Sequence, residues 1–84
     1  KMLKIWDADV YTKEQAEAEF PEYSTDFKGA EPGQIAAVLP YTFFIGCGKD
    51  LLKVNEVQAE GKKRMTSDAF LRGSRLEKGM ELGK

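Results

Sequence analysis

Apolar and polar positions alternate along Leu3–Tyr11, "LKIWDADVY". Trp6, Ala8 and Val10 fall on one side and Ile5, Asp7 and Asp9 on the other, which is the period of a half-buried strand. The pattern stops at Thr12. From there to Gly33 the chain is charged, carries Pro21 and Pro32, and ends on a Pro-Gly turn. "KEQAEAEF" has a helix-forming composition that Pro21 would stop, so the segment is expected as a long loop with at most a helical turn. Strand patterns then resume over Gly33–Pro40, Tyr41–Gly48 and Leu51–Gln58. Pro40 cannot donate to a ladder and closes the first; "GKD" has tight-turn composition and separates the other two. Leu52 and Val54 share a face while Val57 is one step off it, which predicts a bulge near Asn55.

A helix is expected next. Thr66 or Ser67 supplies an N-cap oxygen, Asp68 puts negative charge in the first turn, and Ala69, Phe70 and Leu71 form the buried side. Gly73 suits the left-handed residue after a helix end. "LEKGMELG" then predicts a turn and a short strand around Met80–Leu82. The sum is mainly β: about five short strands and one short α-helix in a single domain over residues 1–84, which fits a small OB-like Greek-key β-barrel.

Composition narrows the chemistry. A chain of 84 residues buries only about 60–65% of its unfolded surface, so its core is small. There is no histidine and a single cysteine, Cys47. No Cys–His or Ser–His pair, internal disulfide or metal cluster can form from this set, and no catalytic or cofactor-binding residue is assigned. Cys47 is expected as a small buried residue of a strand, in a reducing, cytoplasmic setting. No apolar run is long enough for a membrane helix. Residues 1–42 carry four Lys against eight Asp or Glu, and residues 43–84 nine Lys or Arg against six Asp or Glu, which gives the halves opposite signs.

The block Leu51–Gly73, "LLKVNEVQAEGKKRMTSDAFLRG", resembles the C-terminal domain of methionyl-tRNA formyltransferases. The resemblance rests on Leu52, Val54, Val57 and Gln58, then Gly61, Lys62, Lys63, Met65 and Thr66, then Phe70, Leu71 and Gly73. "IWDADV" at Ile5–Val10, "PGQIAAV" at Pro32–Val38 and "EKGMELG" at Glu77–Gly83 match its first strand, its Pro-Gly strand entry and its closing turn. The resemblance implies an OB-like barrel that follows a catalytic formyltransferase domain and helps to hold initiator tRNA. The catalytic Asn, His, Asp and Ser-Leu-Leu-Pro loop of that family belong to the other domain, so formyl transfer and folate binding are not expected here.

The candidate nucleic-acid residues are Lys62, Lys63 and Arg64, a cationic run between a strand and a helix start, with Arg72 and Arg75 near the helix end. Lys and Arg neutralise phosphate and release counterions, and Arg adds a planar fork. The bland reading is a solvated turn, with Arg72 and Arg75 complementing the helix dipole. Lys49 and Lys53 are possible outliers of the same surface. Tyr41, Phe43 and Phe44 are candidates for base stacking, yet neighbouring strand residues point to opposite faces. Phe44 and Trp6 are expected in the core. Glu14, Glu17, Glu19 and Glu22 read as a solvated acidic loop. Two functions stay open: a tRNA-binding accessory domain, or a structural domain of a formyltransferase that does not touch RNA.

Overall fold

The computed structural model describes residues 3–73, 76, 77 and 79. Five strands form one antiparallel sheet: β1 (Leu3–Thr12), β2 (Ile35–Val38), β3 (Phe43–Cys47), β4 (Asp50–Ala59) and β5 (Met65–Thr66). The order is β1-β4-β3-β2, with β5 also on β4. Strands β2, β3 and β4 make a meander, and β1 reaches β2 through a long connection yet lies beside β4. That is a Greek key. Strand β4 is the spine. It pairs with β1 along its whole length, while its other edge passes from β3 at Phe43↔Val54 to β5 at Glu56↔Thr66. The expected mainly-β, OB-like architecture holds, with the sheet left open among the described residues. The strand expected around Met80–Leu82 lies outside them.

Turn chemistry fixes the meander. Cys47 pairs with Asp50 across a two-residue loop, Gly48-Lys49, in which Gly48 has φ +61° and Lys49 does not enter the positive region. A type II′ hairpin needs glycine at that first position. The expected bulge is also present: the β1–β4 register steps from Asp7↔Glu56 to Ala8↔Val54 and skips Asn55. A second shift on β1 skips Trp6, between Ile5 and Asp7.

The connection between β1 and β2 is more ordered than its composition suggests. It folds as α1 (Lys13–Glu19), a 3-10 turn at Pro21–Tyr23, and α2 (Ser24–Lys28). Thr12 and Gln15 form a reciprocal capping box: the Gln15 N–H donates to Thr12 Oγ1 at 3.0 Å, and the Thr12 N–H donates to Gln15 Oε1 at 2.9 Å. Pro21 ends α1 as expected, but it then opens the 3-10 turn, where its missing N–H costs nothing.

The sheet is covered on both sides. Phe43 and Phe44 are neighbours on β3 and both fully buried, each in a different cluster. Phe44 meets Ala16, Phe27, Leu39 and Leu51 beneath the α1–α2 layer, as the core reading required. Phe43 joins Ile35, Ile45, Val54 and Val57, with Phe70 and Leu71 of α3 (Ser67–Gly73) packed against them. The start of α3 is tied to the sheet. Thr66 Oγ1 accepts from the Ala69 N–H at 3.2 Å as the cap. The buried Ser67 and Thr42 hydroxyls both donate to the Val54 carbonyl, at 2.6 and 2.7 Å, where β4 changes partner. Gly73 is the last residue of α3 and is not among the positive-φ glycines, so the left-handed C′ expected there is absent.

Two core expectations fail. Trp6 is 46% exposed. Leu3 and Ile5 take the inward face of β1, and the irregularity at Trp6 breaks the alternation that placed Trp6 inside. Cys47 is exposed too, because β3 ends there at the hairpin.

Tyr11 gives the helical layer its pH signature. Its hydroxyl donates to Glu19 Oε1 at 2.8 Å. That hydrogen bond to a carboxylate, helped by desolvation and the negative charge of Glu19, pushes the phenol up from 10.0 to about 12. The folded value lies above the unfolded one, so the bond's stabilisation is complete below pH 10 and is lost as pH rises through 12. Spectrophotometric titration should show one phenolate appearing near pH 12, and Tyr11→Phe should delete that step.

Candidate nucleic-acid interface

The candidate surface is built where β4 runs out. After Ala59 the chain turns through Glu60-Gly61, the Lys62 N–H donating to the Ala59 carbonyl at 3.0 Å. Gly61 has φ +77°, as the third position of a type II turn demands. Lys62, Lys63 and Arg64 follow at once, all exposed, before Met65 rejoins the sheet as β5. The turn is held from the sheet as well: Gln58 Nε2 donates to the Lys62 carbonyl at 2.9 Å.

Gln58 also links the turn to β1. Its Oε1 accepts from Trp6 Nε1 at 2.9 Å, so the indole has a fixed orientation although nearly half of it faces water. Lys4, the cross-strand partner of Gln58, places Nζ 4.9 Å from the Trp6 ring centre, and the Arg64 guanidinium carbon lies 5.0 Å from it. Arg64 Nε reaches Glu56 Oε1 at 3.3 Å. Lys4, Trp6, Glu56 and Gln58 thus project from one face of the β1–β4 pair, and Arg64 leans onto it from the turn. Lys4, Trp6 and Gln58 are the part of this surface that sequence reasoning did not assemble. The available signal was Lys4 and Trp6 at i and i+2 on one strand face.

The other candidates fall in different places. Arg72 pairs with Asp68 at 2.9 Å along α3 and borders a groove of about 460 Å³ with Val38, Pro40 and Leu76, not with the 60–64 turn. Arg75 lies outside the described residues. Lys49 sits in the hairpin at the start of β4, about 30 Å of strand from its far end, and Lys53 donates to Asn55 Oδ1 at 3.4 Å. Neither joins the turn. Tyr41 is exposed, whereas Phe43 and Phe44 are sealed in the core and offer no stacking face.

Carboxylates engage Arg64 and Arg72; among the described residues none is paired with Lys62 or Lys63. The Arg64 and Glu56 side chains are 55% and 39% exposed. An exposed pair of this kind contributes about 0.2–1 kcal/mol, so phosphate can compete for the guanidinium. Beyond this candidate surface, Asn55 Nδ2 donates to Asp7 and Asp9 at 3.0 and 3.1 Å, which marks an acidic border along β1. No group of His, Cys, Asp or Glu side chains among the described residues is placed to hold a metal ion, and no helix among them is long and apolar enough to cross a membrane.

An open Greek-key sheet with a helix after its fifth strand and a cationic turn after its fourth defines a small β module of the OB-like class. The chain belongs to the formyl transferase C-terminal domain family, whose pattern matches residues 1–75. Over all 84 residues it is 51% identical to a methionyl-tRNA formyltransferase of Lachnospira eligens and 31% identical to one of Pelotomaculum thermopropionicum. In those two alignments the whole chain is covered, against 24% and 23% of the relatives' lengths. A methionyl-tRNA formyltransferase of Geobacter metallireducens is 45% identical over 53 residues, 63% of this chain and 17% of that protein. The chain thus spans about a quarter of the length of the relatives it matches throughout. No solved structure matches it.

Proposed function

We propose that this domain holds the phosphate backbone of initiator tRNA for a methionyl-tRNA formyltransferase whose catalytic domain lies elsewhere, in the cytoplasm. Lys62 and Lys63 make the primary contacts and Arg64 joins them by exchanging Glu56 for phosphate. Arg72 and Arg75 are proposed as secondary phosphate contacts. The observation that carries this reading is the pair of exposed lysines without a carboxylate partner among the described residues, on a turn fixed by Gly61 and by Gln58. A turn held in this way presents its charges without first losing conformational freedom. Base identity is not read by such contacts.

The test is a titration of the 84-residue chain with labelled initiator tRNA at two salt concentrations, followed by anisotropy. Affinity should fall as salt rises, with a slope of about 0.7–0.9 per phosphate neutralised. Changing Lys62 and Lys63 to Ala should lower that slope by about 1 for each lysine. The pairing of Arg64 and Arg72 with carboxylates favours a second reading, a structural domain that does not contact RNA. Absence of binding at the lower salt concentration would select it.

A further inference from the structure

The fold leaves its only tryptophan on the surface and then fixes it there. A domain this small needs its large aromatics inside. Phe27, Phe43 and Phe44 are completely buried, whereas Trp6 is 46% exposed. It is not loosely exposed: Gln58 accepts its N–H at 2.9 Å, and Lys4 and Arg64 bring their charges to 4.9 and 5.0 Å from the ring. Beside it runs a groove of about 510 Å³ lined by Leu3, Lys4, Gln58, Ala59, Glu60 and Gly61. That volume lies within the roughly 300–1,000 Å³ span of small-molecule sites. Lys4 and Gln58 belong to both features.

We propose that Trp6, between Lys4 and Arg64, is the stacking platform for one unpaired nucleotide of an RNA, with its base over the indole and along the groove and its phosphate toward Lys62 and Arg64. This deepens the tRNA-binding reading and rests on it. Rigid exposed aromatics interleaved with cations are the means by which single strands are bound irrespective of sequence. The charges facing the platform divide it. Glu60 in the groove opposes phosphate there and leaves the place to an uncharged base. Glu56 on the far side of Arg64 is the carboxylate that phosphate must displace. Asp7 and Asp9, held by Asn55, bound the site along β1. Ring-cation contacts with Lys4 and Arg64 are exposed and weak, so a base can slide between ring and cation without large loss.

Because the chain has a single tryptophan, its emission reports this site alone. The intact 84-residue chain is titrated with a short oligoadenylate, a blunt RNA duplex and inorganic polyphosphate. Binding is followed by anisotropy or competition, and Trp6 emission is recorded in parallel. The expected result is saturable loss of most of the emission with the oligoadenylate, little loss with the duplex, and little with polyphosphate, which offers phosphate but no base. Trp6→Leu should weaken oligoadenylate binding roughly 5- to 150-fold and leave polyphosphate binding unchanged, while Trp6→Phe should restore much of the loss. Since Trp6 is exposed, both variants should fold, which circular dichroism verifies. Oligoadenylate binding with unchanged emission, or equal quenching by polyphosphate, would overturn the platform. Salt-dependent tRNA binding with unaltered Trp6 emission would remove the platform but keep the backbone contacts; no RNA binding at all would remove both.

Discussion

Replacing Phe44 by Ala should cost about 3–5 kcal/mol, the range for truncating a buried phenylalanine. For a chain of 84 residues the whole stability is expected at about 4–13 kcal/mol, so this single change removes a large share of it. The reason lies in what Phe44 joins. Its ring meets Tyr11 at 5.6 Å, Phe20 at 5.6 Å and Phe27 at 4.9 Å, all edge to face. Those partners come from β1, from the junction after α1, and from α2. One side chain therefore fastens the helical layer to the sheet. Thermal unfolding followed by circular dichroism should show a fall of about 4–8 °C for every kcal/mol lost. Hydrogen exchange should quicken first in α1 and α2. The exposed Trp6→Leu change, by contrast, should barely move the midpoint. A Phe44→Ala protein that melts within a few degrees of the parent would mean that the layer is held by something else.

The same residue shows how far the pattern could be read. Two adjacent aromatics on one strand, both apolar and pointing to opposite faces, require cover on both sides of the sheet. On the Phe44 side that cover had to come from the long connection after β1, whose composition concealed it. Thr12 and Gln15 at capping-box spacing were the local signal, while the Glu-rich outer face and Pro21 argued for a loop. The strands were legible because alternation and turn glycines report local geometry. Trp6 was not, because a one-residue irregularity in β1 reverses every side-chain direction beyond it and leaves no mark in the composition. On β4 the misfit of Val57 did betray the matching step at Asn55. The basic run was visible as a run. Its neighbours were not: Lys4 and Gln58 are far apart in sequence, and only the β1–β4 register places them opposite each other. Arg72 looked contiguous with the run, but three-dimensional order sets it beside Val38 and Pro40.

Gly46→Ala is expected to be nearly as damaging as the loss of Phe44, for a backbone reason. A Cβ at Gly46 would stand 2.1 Å from the Glu31 carbonyl oxygen and 2.7 Å from its carbon. Real contacts are never so short, and the obstacle is main chain, which cannot rotate aside. Nor can the strand retreat. The Gly33 N–H donates to the Gly46 carbonyl at 3.0 Å, and the Gly46 N–H donates to the Gln34 carbonyl at 2.9 Å. These bonds secure the Pro32-Gly33 turn that feeds β2. Admitting a methyl group means breaking them or splaying β3 from the β2 entry, an overpacking cost of about 1–3 kcal/mol or more. Gly73→Ala is the matched control: nothing lies within 4 Å of its Cβ position, its φ is not left-handed, and it ends a helix that alanine favours. Its midpoint should hold or rise. Gly46 pairs with Leu51, eight residues along β4 from Ala59, where the cationic turn begins, a span of about 26 Å. Gly46→Ala should therefore lower the melting temperature while the protein that remains folded binds tRNA with the parent's salt slope. A changed slope would mean that strain at the β2 entry reaches Gln58 and the turn it holds.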